Sequence, residues 1–301
     1  MEKISPKVKK TYKDIRSLKI QGARNITIAA SKALAQYAKE YKGNNFISDL
    51  SEAANFLATA RPTEPMTRNY VRTLLNAVRK HPGQIEDFRG IVTDTADSFM
   101  ESCSKATAKI AEIGARRIPD NSTIMVHCHS STLVNMLKEA KKTKSIQAIC
   151  LETRPRYQGR TTAKELAAAG IPTTLVVDSA MASLLKKADL VLVGADAICA
   201  NGALINKIGT SALAICAHER KKPLYVAAEL YKFDPETIEG NLEEIEERDP
   251  AEVGKIKGVN VRNPAFDATA PEYIDLVITE EGILSPYSVR DAFRAKYGPI
   301  D

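Results

Sequence analysis

Hydrophobic residues recur at one spacing before residue 118 and at another after it. In the first stretch the interval is three and four residues, the period of a helix with one buried face. The segment "NITIAASKALAQYAKEYKG" is expected to open on its Asn cap and close on Gly43, and "FISDLSEAANFLATA" to stop before Arg61-Pro62. A third helix, "TRNYVRTLLNAVRKHPG", should stop at Pro82-Gly83. Ile85, Phe88, Val92, Ala96, Phe99, Cys103, Ala106, Ile110 and Ile113 then continue a single apolar stripe. That stripe predicts one long helix in a bundle, with Cys103 packed inside.

At "RRIPDNST" the pattern changes. Short apolar runs, each long enough for one strand, begin to alternate with amphipathic stretches. The expected strands are "STIMVHC", "SIQAICL", "IPTTLVVD", "DLVLVGAD", "PLYVAAE" and "YIDLVIT"; the expected helices are "SSTLVNMLKEAKKT", "TAKELAAAG", "AMASLLKKA", "TSALAICAHERK" and "SVRDAFRAKYG". Strands without polar alternation, joined by helices, predict a parallel sheet covered on both faces. The fold class is therefore α/β: a helical N-terminal domain over 1–118, then a parallel-sheet domain over 119–301. The acidic stretch "EGNLEEIEERDP" is expected to be a solvated loop or helix face.

Ligands of such sheets bind beyond the carboxyl ends of the strands. The residues there are His127-Cys128-His129-Ser130, Glu152-Thr153-Arg154, Asp178-Ser179, Gly194-Ala195-Asp196, and Glu229 with Lys232. Cys128 has three readings: a small buried hydrophobe, a metal ligand, or a thiol made reactive by the helix that starts near Ser130 or Ser131. Neighbouring strand residues point to opposite faces, which weighs against a metal held by the His-Cys-His run. Asp196 either caps the turn that follows it or, in apolar surroundings, keeps its proton and acts as a general acid. Three segments suit anions: Gly209-Thr210 at a helix start, the arginines of "ETRPRYQGRTT" (Arg154, Arg156, Arg160), and Arg24 in "QGARN". Together they suggest a ligand with more than one phosphate.

Composition narrows the classes. Lys plus Arg exceeds Asp plus Glu, 43 against 37, a net charge of +6. This modest excess fits phosphorylated small molecules, and the absence of a basic block with interleaved aromatics argues against nucleic acid. No run approaches the roughly 20 apolar residues of a membrane span, and the first residues do not resemble a signal peptide. Five cysteines with no C-x-x-C pair suggest reduced thiols in an intracellular, cytoplasmic protein. The sequons at Asn25 and Asn121 are then chance matches.

At "ETRPRYQGR" and "GADAICANGALINKIGT" the chain resembles one superfamily, and "QGARN", "ATARPT", "HCHSS" and "VAAELYKFD" extend the resemblance over nearly its whole length. That superfamily comprises the regulatory subunits of the eukaryotic initiation-factor exchange complex, methylthioribose-1-phosphate isomerase and archaeal ribose-1,5-bisphosphate isomerase. It implies a helical N-terminal domain followed by a Rossmann-like catalytic domain. It also implies that Cys128 and Asp196 are catalytic; the exchange-complex subunits typically lack the cysteine and often carry Glu for the Asp. The "HCHSS" context is similar to the bisphosphate isomerases, whereas the methylthioribose enzymes usually read His-Cys-Asn.

By the same resemblance Gly22, Ala23, Arg24, Asn25, Arg61, Ser130, Ser131, Arg154, Gln158, Gly159, Asn206, Lys207 and Lys232 line the substrate site. Gln21 departs from the many relatives that carry Arg there. The implied activity is the conversion of ribose 1,5-bisphosphate to ribulose 1,5-bisphosphate by acid-assisted ring opening through a phospho-enol, in AMP degradation. The alternatives are methylthioribose-1-phosphate isomerase and a non-catalytic translation-factor regulatory subunit. No cofactor or metal, an AMP activator, a homo-oligomer (dimer or hexamer), and no nucleic-acid or membrane partner complete the expectation.

Overall fold

The computed structural model describes residues 4–237 and 246–298. Residues 239–245 of the acidic stretch lie outside the described residues. The chain forms two compact units, Met1–Lys105 and Ala106–Asp301.

The first unit is helical, with α1 (Pro6–Arg16), α2 (Ala23–Glu40), α3 (Phe46–Ala58), α4 (Pro65–Lys80) and the start of α5 (Ile85–Arg117). Its interior holds Leu34, Leu50, Leu57, Met66, Tyr70 and Leu74. The stripe predicted along α5 is buried from Phe88 to Ile110, Cys103 included, and its end members Ile85 and Ile113 are partly buried. Two boundaries differ from expectation. Gly22, at φ 84°, caps α2, so Asn25 lies in its first turn and donates back to the Gln21 carbonyl at 3.2 Å. The same helix ends before Tyr41, whose backbone is extended and whose hydroxyl bonds the Asp49 carboxylate at 2.6 Å. That anchor turns the chain before Gly43.

The second unit continues with β1 (Ser122–Val126), α6 (Ser131–Lys141), β2 (Ile146–Leu151), α7 (Gln158–Ala168), β3 (Thr173–Val176), α8 (Met181–Leu184) and β4 (Leu190–Val193). Then come β5 (Ala197–Cys199), β6 (Leu204–Lys207), α9 (Thr210–Glu219), β7 (Leu224–Ala227), β8 (Phe233–Asp234), β9 (Phe266–Thr269), β10 (Leu276–Thr279), β11 (Gly282–Leu284) and α10 (Val289–Tyr297). Seven strands form the main sheet in the order β11-β10-β7-β4-β1-β2-β3, parallel except for the edge strand β11. This is the Rossmann-like order.

Alternate residues of these strands feed two cores, as a pleat requires. Met125, Ile149, Val191, Val193 and Val226 pack with Leu213 of α9 and Phe293 of α10. Ile124, Val126, Ala148, Cys150, Leu190 and Leu192 pack on the other side with Leu133 and Leu137 of α6, Leu166 of α7 and Ile110 of α5. The expected helix "AMASLLKKA" shrinks to the single turn α8, flanked by 3₁₀ turns.

A second sheet, β8-β5-β6-β9, had no counterpart in the periodicity reading. Its strands hold two to four residues each, too few to show a period. The available signal was Asn201-Gly202 between two apolar runs, a hairpin signature. Gly202 turns at φ 88° there, and the Asn201 side chain accepts from Ala203 N–H at 2.9 Å.

Candidate active site

The main sheet reverses its winding between β1 and β4. From β1 the chain proceeds outward through β2 and β3; from β4 it proceeds the other way through β7 and β10. A crevice opens at such a point beyond the strand ends. Cys128 follows β1 and Asp196 follows β4, adjacent strands paired Val126 with Leu192. Gly194 lets the two exits approach: a Cβ there would lie 2.7 Å from Cβ of Ser130. Ser130 caps α6, and Ser131 is its first residue.

Cys128 is half-buried and has left the strand. Its φ is 64°, a conformation uncommon for a non-glycine residue. Both of its backbone groups are held by threonine hydroxyls: its N–H donates to Thr153 Oγ1 at 2.9 Å, and Thr162 Oγ1 donates to its carbonyl at 2.9 Å. Thr153 is itself left-handed, at φ 64°, and its N–H donates to Asp178 at 2.7 Å, as does that of Arg154. The His127 ring is buried, which lowers its pKa and keeps it neutral. Its Nε2 donates to the Ile208 carbonyl at 2.9 Å, tying the end of β1 to the end of β6.

Burial pushes the Cys128 thiol up to about 11, and the negative charges of Asp196 and Asp178 push the same way. The Lys207 ammonium and the His129 N–H pull it down but do not prevail. The expectation that helix α6 would favour a thiolate is corrected by this balance: at rest the sulfur keeps its proton, because desolvation outweighs the donors around it. Asp196 is half-buried and close enough for its charge to act on the sulfur.

The small sheet delivers the neighbouring groups. The Asp196 N–H donates to Ile205 across the β5–β6 hairpin at 2.9 Å. Asn206 and Lys207 end β6, paired with Asp267 and Phe266 of β9. Both are buried; Asn206 donates to Thr210 Oγ1 at 3.0 Å, and the Lys207 ammonium lies 4.6 Å from the Phe266 ring centre. Lys232, also buried, donates to the Ala195 carbonyl at 2.8 Å and pairs with Glu229 at 3.3 Å. Cys128, Asp196, Lys207 and Lys232 thus gather at the two strand ends.

The anion elements fare less uniformly. At the start of α9, Gly209 N–H and Ser211 N–H donate to the Asp267 carboxylate at 2.7 and 3.2 Å, so this helix end serves a side chain. That corrects the expectation of a phosphate there; β9, unforeseen, brings the acid. Arg154 meets the Tyr157 hydroxyl and the Val253 carbonyl, Arg156 pairs with Glu252 at 3.0 Å, and Arg160 with Glu152 at 2.9 Å. Gln158 and Gly159 open α7 directly after β2, and only glycine fits at 159, where a Cβ would fall 1.7 Å from the Leu151 carbonyl oxygen.

The remaining predicted contacts belong to the helical unit. Gly22, Ala23, Arg24 and Asn25 form the start of α2, and Arg61 is buried with Glu64 at 3.6 Å. Thr153 and Asp178 stood at strand ends in the sequence without a role, and Thr162, inside a helix, gave no signal. Among the described residues no group of three His, Cys, Asp or Glu could hold a metal ion. No described helix is long and apolar enough to cross a membrane.

Fold and site geometry define a Rossmann-like protein with a thiol, a carboxyl group and a buried lysine at its switch point, and comparison with known proteins places it. Residues 19–286 match the Initiation factor 2 subunit family, and the chain belongs to that family. It is 46% identical to ribose 1,5-bisphosphate isomerase of Methanocaldococcus jannaschii, covering 93% of this chain and 92% of the relative. It is 36% identical to methylthioribose-1-phosphate isomerase of Pelotomaculum thermopropionicum, covering 90% and 81%. The crystal structure of Pyrococcus horikoshii translation initiation factor eIF-2B superposes with a TM-score of 0.84 at 30% identity, covering 94% of this chain and 98% of that one. The chain is an enzyme of the isomerase class.

Proposed function

We propose that this enzyme converts ribose 1,5-bisphosphate to ribulose 1,5-bisphosphate, with Cys128 and Asp196 as its acid–base pair. What carries the reading is the meeting of a protonated thiol, a carboxylate and a buried lysine at one strand reversal. The similarity to the bisphosphate isomerase, higher than that to the methylthioribose enzyme, supports the substrate.

A phosphate on C1 locks the sugar in its ring, so isomerisation has to begin with a proton on the ring oxygen. At rest the sulfur keeps its proton. Transfer of that proton to Asp196, helped by the charge of Lys207, readies both groups. Asp196 then protonates the ring oxygen as the C1–oxygen bond breaks, and the cation at C1 acidifies the C2 proton. The Cys128 thiolate removes that proton to give the phospho-enol. Return of the proton to C1, with loss of the 2-hydroxyl proton to Asp196, gives the ketone and restores the pair. Each such step is worth about 10²–10⁴-fold.

Ser130, Ser131, Arg154, Gln158, Gly159, Asn206 and Lys232, with Gly22, Ala23, Arg24, Asn25 and Arg61 of the helical unit, are assigned to substrate. The resemblance extends the proposal to AMP degradation in the cytoplasm, AMP as activator, and a homo-oligomer, dimer or hexamer. The test is incubation with ribose 1,5-bisphosphate, with and without AMP, followed by NMR of the product. Ribulose 1,5-bisphosphate is expected; turnover of methylthioribose 1-phosphate alone would overturn the substrate, and no turnover of either would overturn the activity.

A further inference from the structure

We infer that Thr153 and Thr162 are positioning residues whose hydroxyls hold the sulfur of Cys128 in place by gripping that residue's backbone from both sides. The inference rests on the proposed isomerase reading for its catalytic consequence, and on geometry alone for the grip. A cysteine at φ 64° occupies a sparsely populated region, and such a residue persists only when its surroundings over-determine it. At Cys128 the surroundings are two hydroxyls, one on the N–H and one on the carbonyl, both 2.9 Å away and both on threonines with no exposed surface.

Each hydroxyl is itself fixed. Thr153 is a β-branched residue at φ 64°, held there by its N–H bond to Asp178; its hydroxyl also lies 3.2 Å from the Leu151 carbonyl and 3.4 Å from His127 Nδ1. The Thr162 hydroxyl gives its hydrogen to the Cys128 carbonyl and so accepts from His129 Nδ1, at 3.1 Å. The grip spans three elements: Thr153 follows β2, Thr162 lies in α7, and Asp178 follows β3. Relaxation of the turn toward ordinary backbone angles would swing the Cα–Cβ bond and carry the sulfur away from Asp196 and Lys207. Neither threonine touches the reacting atoms in this account. Both act through Cys128.

The experiment compares Thr153→Val and Thr162→Val, which delete the hydroxyl at nearly constant volume, with Thr153→Ser and Thr162→Ser, which keep it. Two readouts are taken on the full chain: kcat and KM on ribose 1,5-bisphosphate, and the pH dependence of Cys128 alkylation by iodoacetamide, followed on its peptide by mass spectrometry. The charged and titratable groups facing the sulfur (Lys207, Asp196, Asp178, His127 and His129) are the same in all four variants. The valine variants are expected to lose at least tenfold in kcat with little change in KM, since misplacement of about 1 Å costs up to 10²-fold. Their alkylation midpoint should fall as the sulfur gains solvent, while the serine variants keep both values near wild type.

Folded valine variants with unchanged kcat and unchanged midpoint overturn the inference, as do serine variants that lose as much as valine. If the wild type turns over no sugar phosphate, the isomerase reading fails while the alkylation arm still decides the grip. Should the valine variants not fold, hydrogen exchange of the Cys128 amide in the wild type decides: protection supports the grip, and exchange at the rate of a free loop overturns it.

Discussion

At the end of β1 the seven-stranded sheet presents Cys128 by leaving strand geometry, and side chains from three other elements hold the turn. The four-stranded sheet presents Asn206 and Lys207 from inside a strand, still paired with Asp267 and Phe266, and Asp196 keeps a hairpin bond to Ile205. One sheet positions by local strain held by hydroxyls, the other by an ordinary ladder that carries buried charge into the crevice. The difference has a consequence. The first arrangement is vulnerable to loss of a single polar atom; the second is vulnerable to loss of a charge that its partner still needs.

The largest effect is expected where the two sheets meet. Cys128→Ser and Asp196→Asn should each lower kcat on ribose 1,5-bisphosphate by about 10³-fold, within the range of one acid–base group. Substrate affinity measured by calorimetry should stay close to wild type. Near-normal turnover in either variant would remove that residue from the chemistry and leave the strained turn without a purpose.

Next in size is a charge buried beside the small sheet. Lys232→Met removes the ammonium that bonds the Ala195 carbonyl and pairs with Glu229, itself buried and bonded by Thr132 at 3.1 Å. Breaking a buried pair from one side costs about 3 kcal/mol or more. Urea denaturation should show that loss, and the double variant Lys232→Met with Glu229→Gln should recover part of it. If the double variant is no more stable than the single one, the pair is not what Lys232 supports.

A smaller loss tests the other sheet. Gly159→Ala would drive a methyl into the Leu151 carbonyl at the end of β2, next to Thr153. Forced displacement of packed backbone costs about 1–3 kcal/mol. Because the push lands beside the threonine grip, Cys128 alkylation should change together with stability. A variant that loses stability but keeps the wild-type alkylation profile would separate the helix start from the turn.

This contrast also explains what the sequence made legible. The seven-stranded sheet could be read because its central strands carry short, mostly apolar runs that feed both faces, such as Leu190–Val193 and Leu224–Ala227, and its switch point follows from strand order. Cys128 and Asp196 were found as strand ends and singled out by family motif. The small sheet stayed hidden because Ala197–Cys199 and Leu204–Lys207 are too short to show a period; with it went Asp267, which no local pattern ties to a helix start 56 residues earlier. The Thr162 contact was equally invisible, since a hydroxyl on the buried side of an amphipathic helix looks like packing. The arginines of "ETRPRYQGR" showed their charge in the sequence but not their partners, and the structure pairs Arg156 and Arg160 with Glu252 and Glu152.

The last test concerns that unforeseen acid. Asp267 sits where a phosphate was expected, and burial raises its pKa from 3.8 to about 6 against the pull of Gly209 N–H, Ser211 N–H and the Lys207 ammonium. A carboxyl whose folded value is raised binds its proton more tightly in the folded chain than in the unfolded one. Its contribution to stability is therefore complete below about pH 4 and is lost as pH rises through about 6. Other carboxyls titrate in the same window, so the informative quantity is the difference between wild type and Asp267→Asn. The wild type should lose stability relative to the variant between pH 4 and 6, and the difference should level off above that. Urea midpoints taken at half-unit steps check it. Parallel curves would mean that the small sheet carries this carboxylate at no titration cost, and that its ladder, unlike the Cys128 turn, holds an awkward group without penalty.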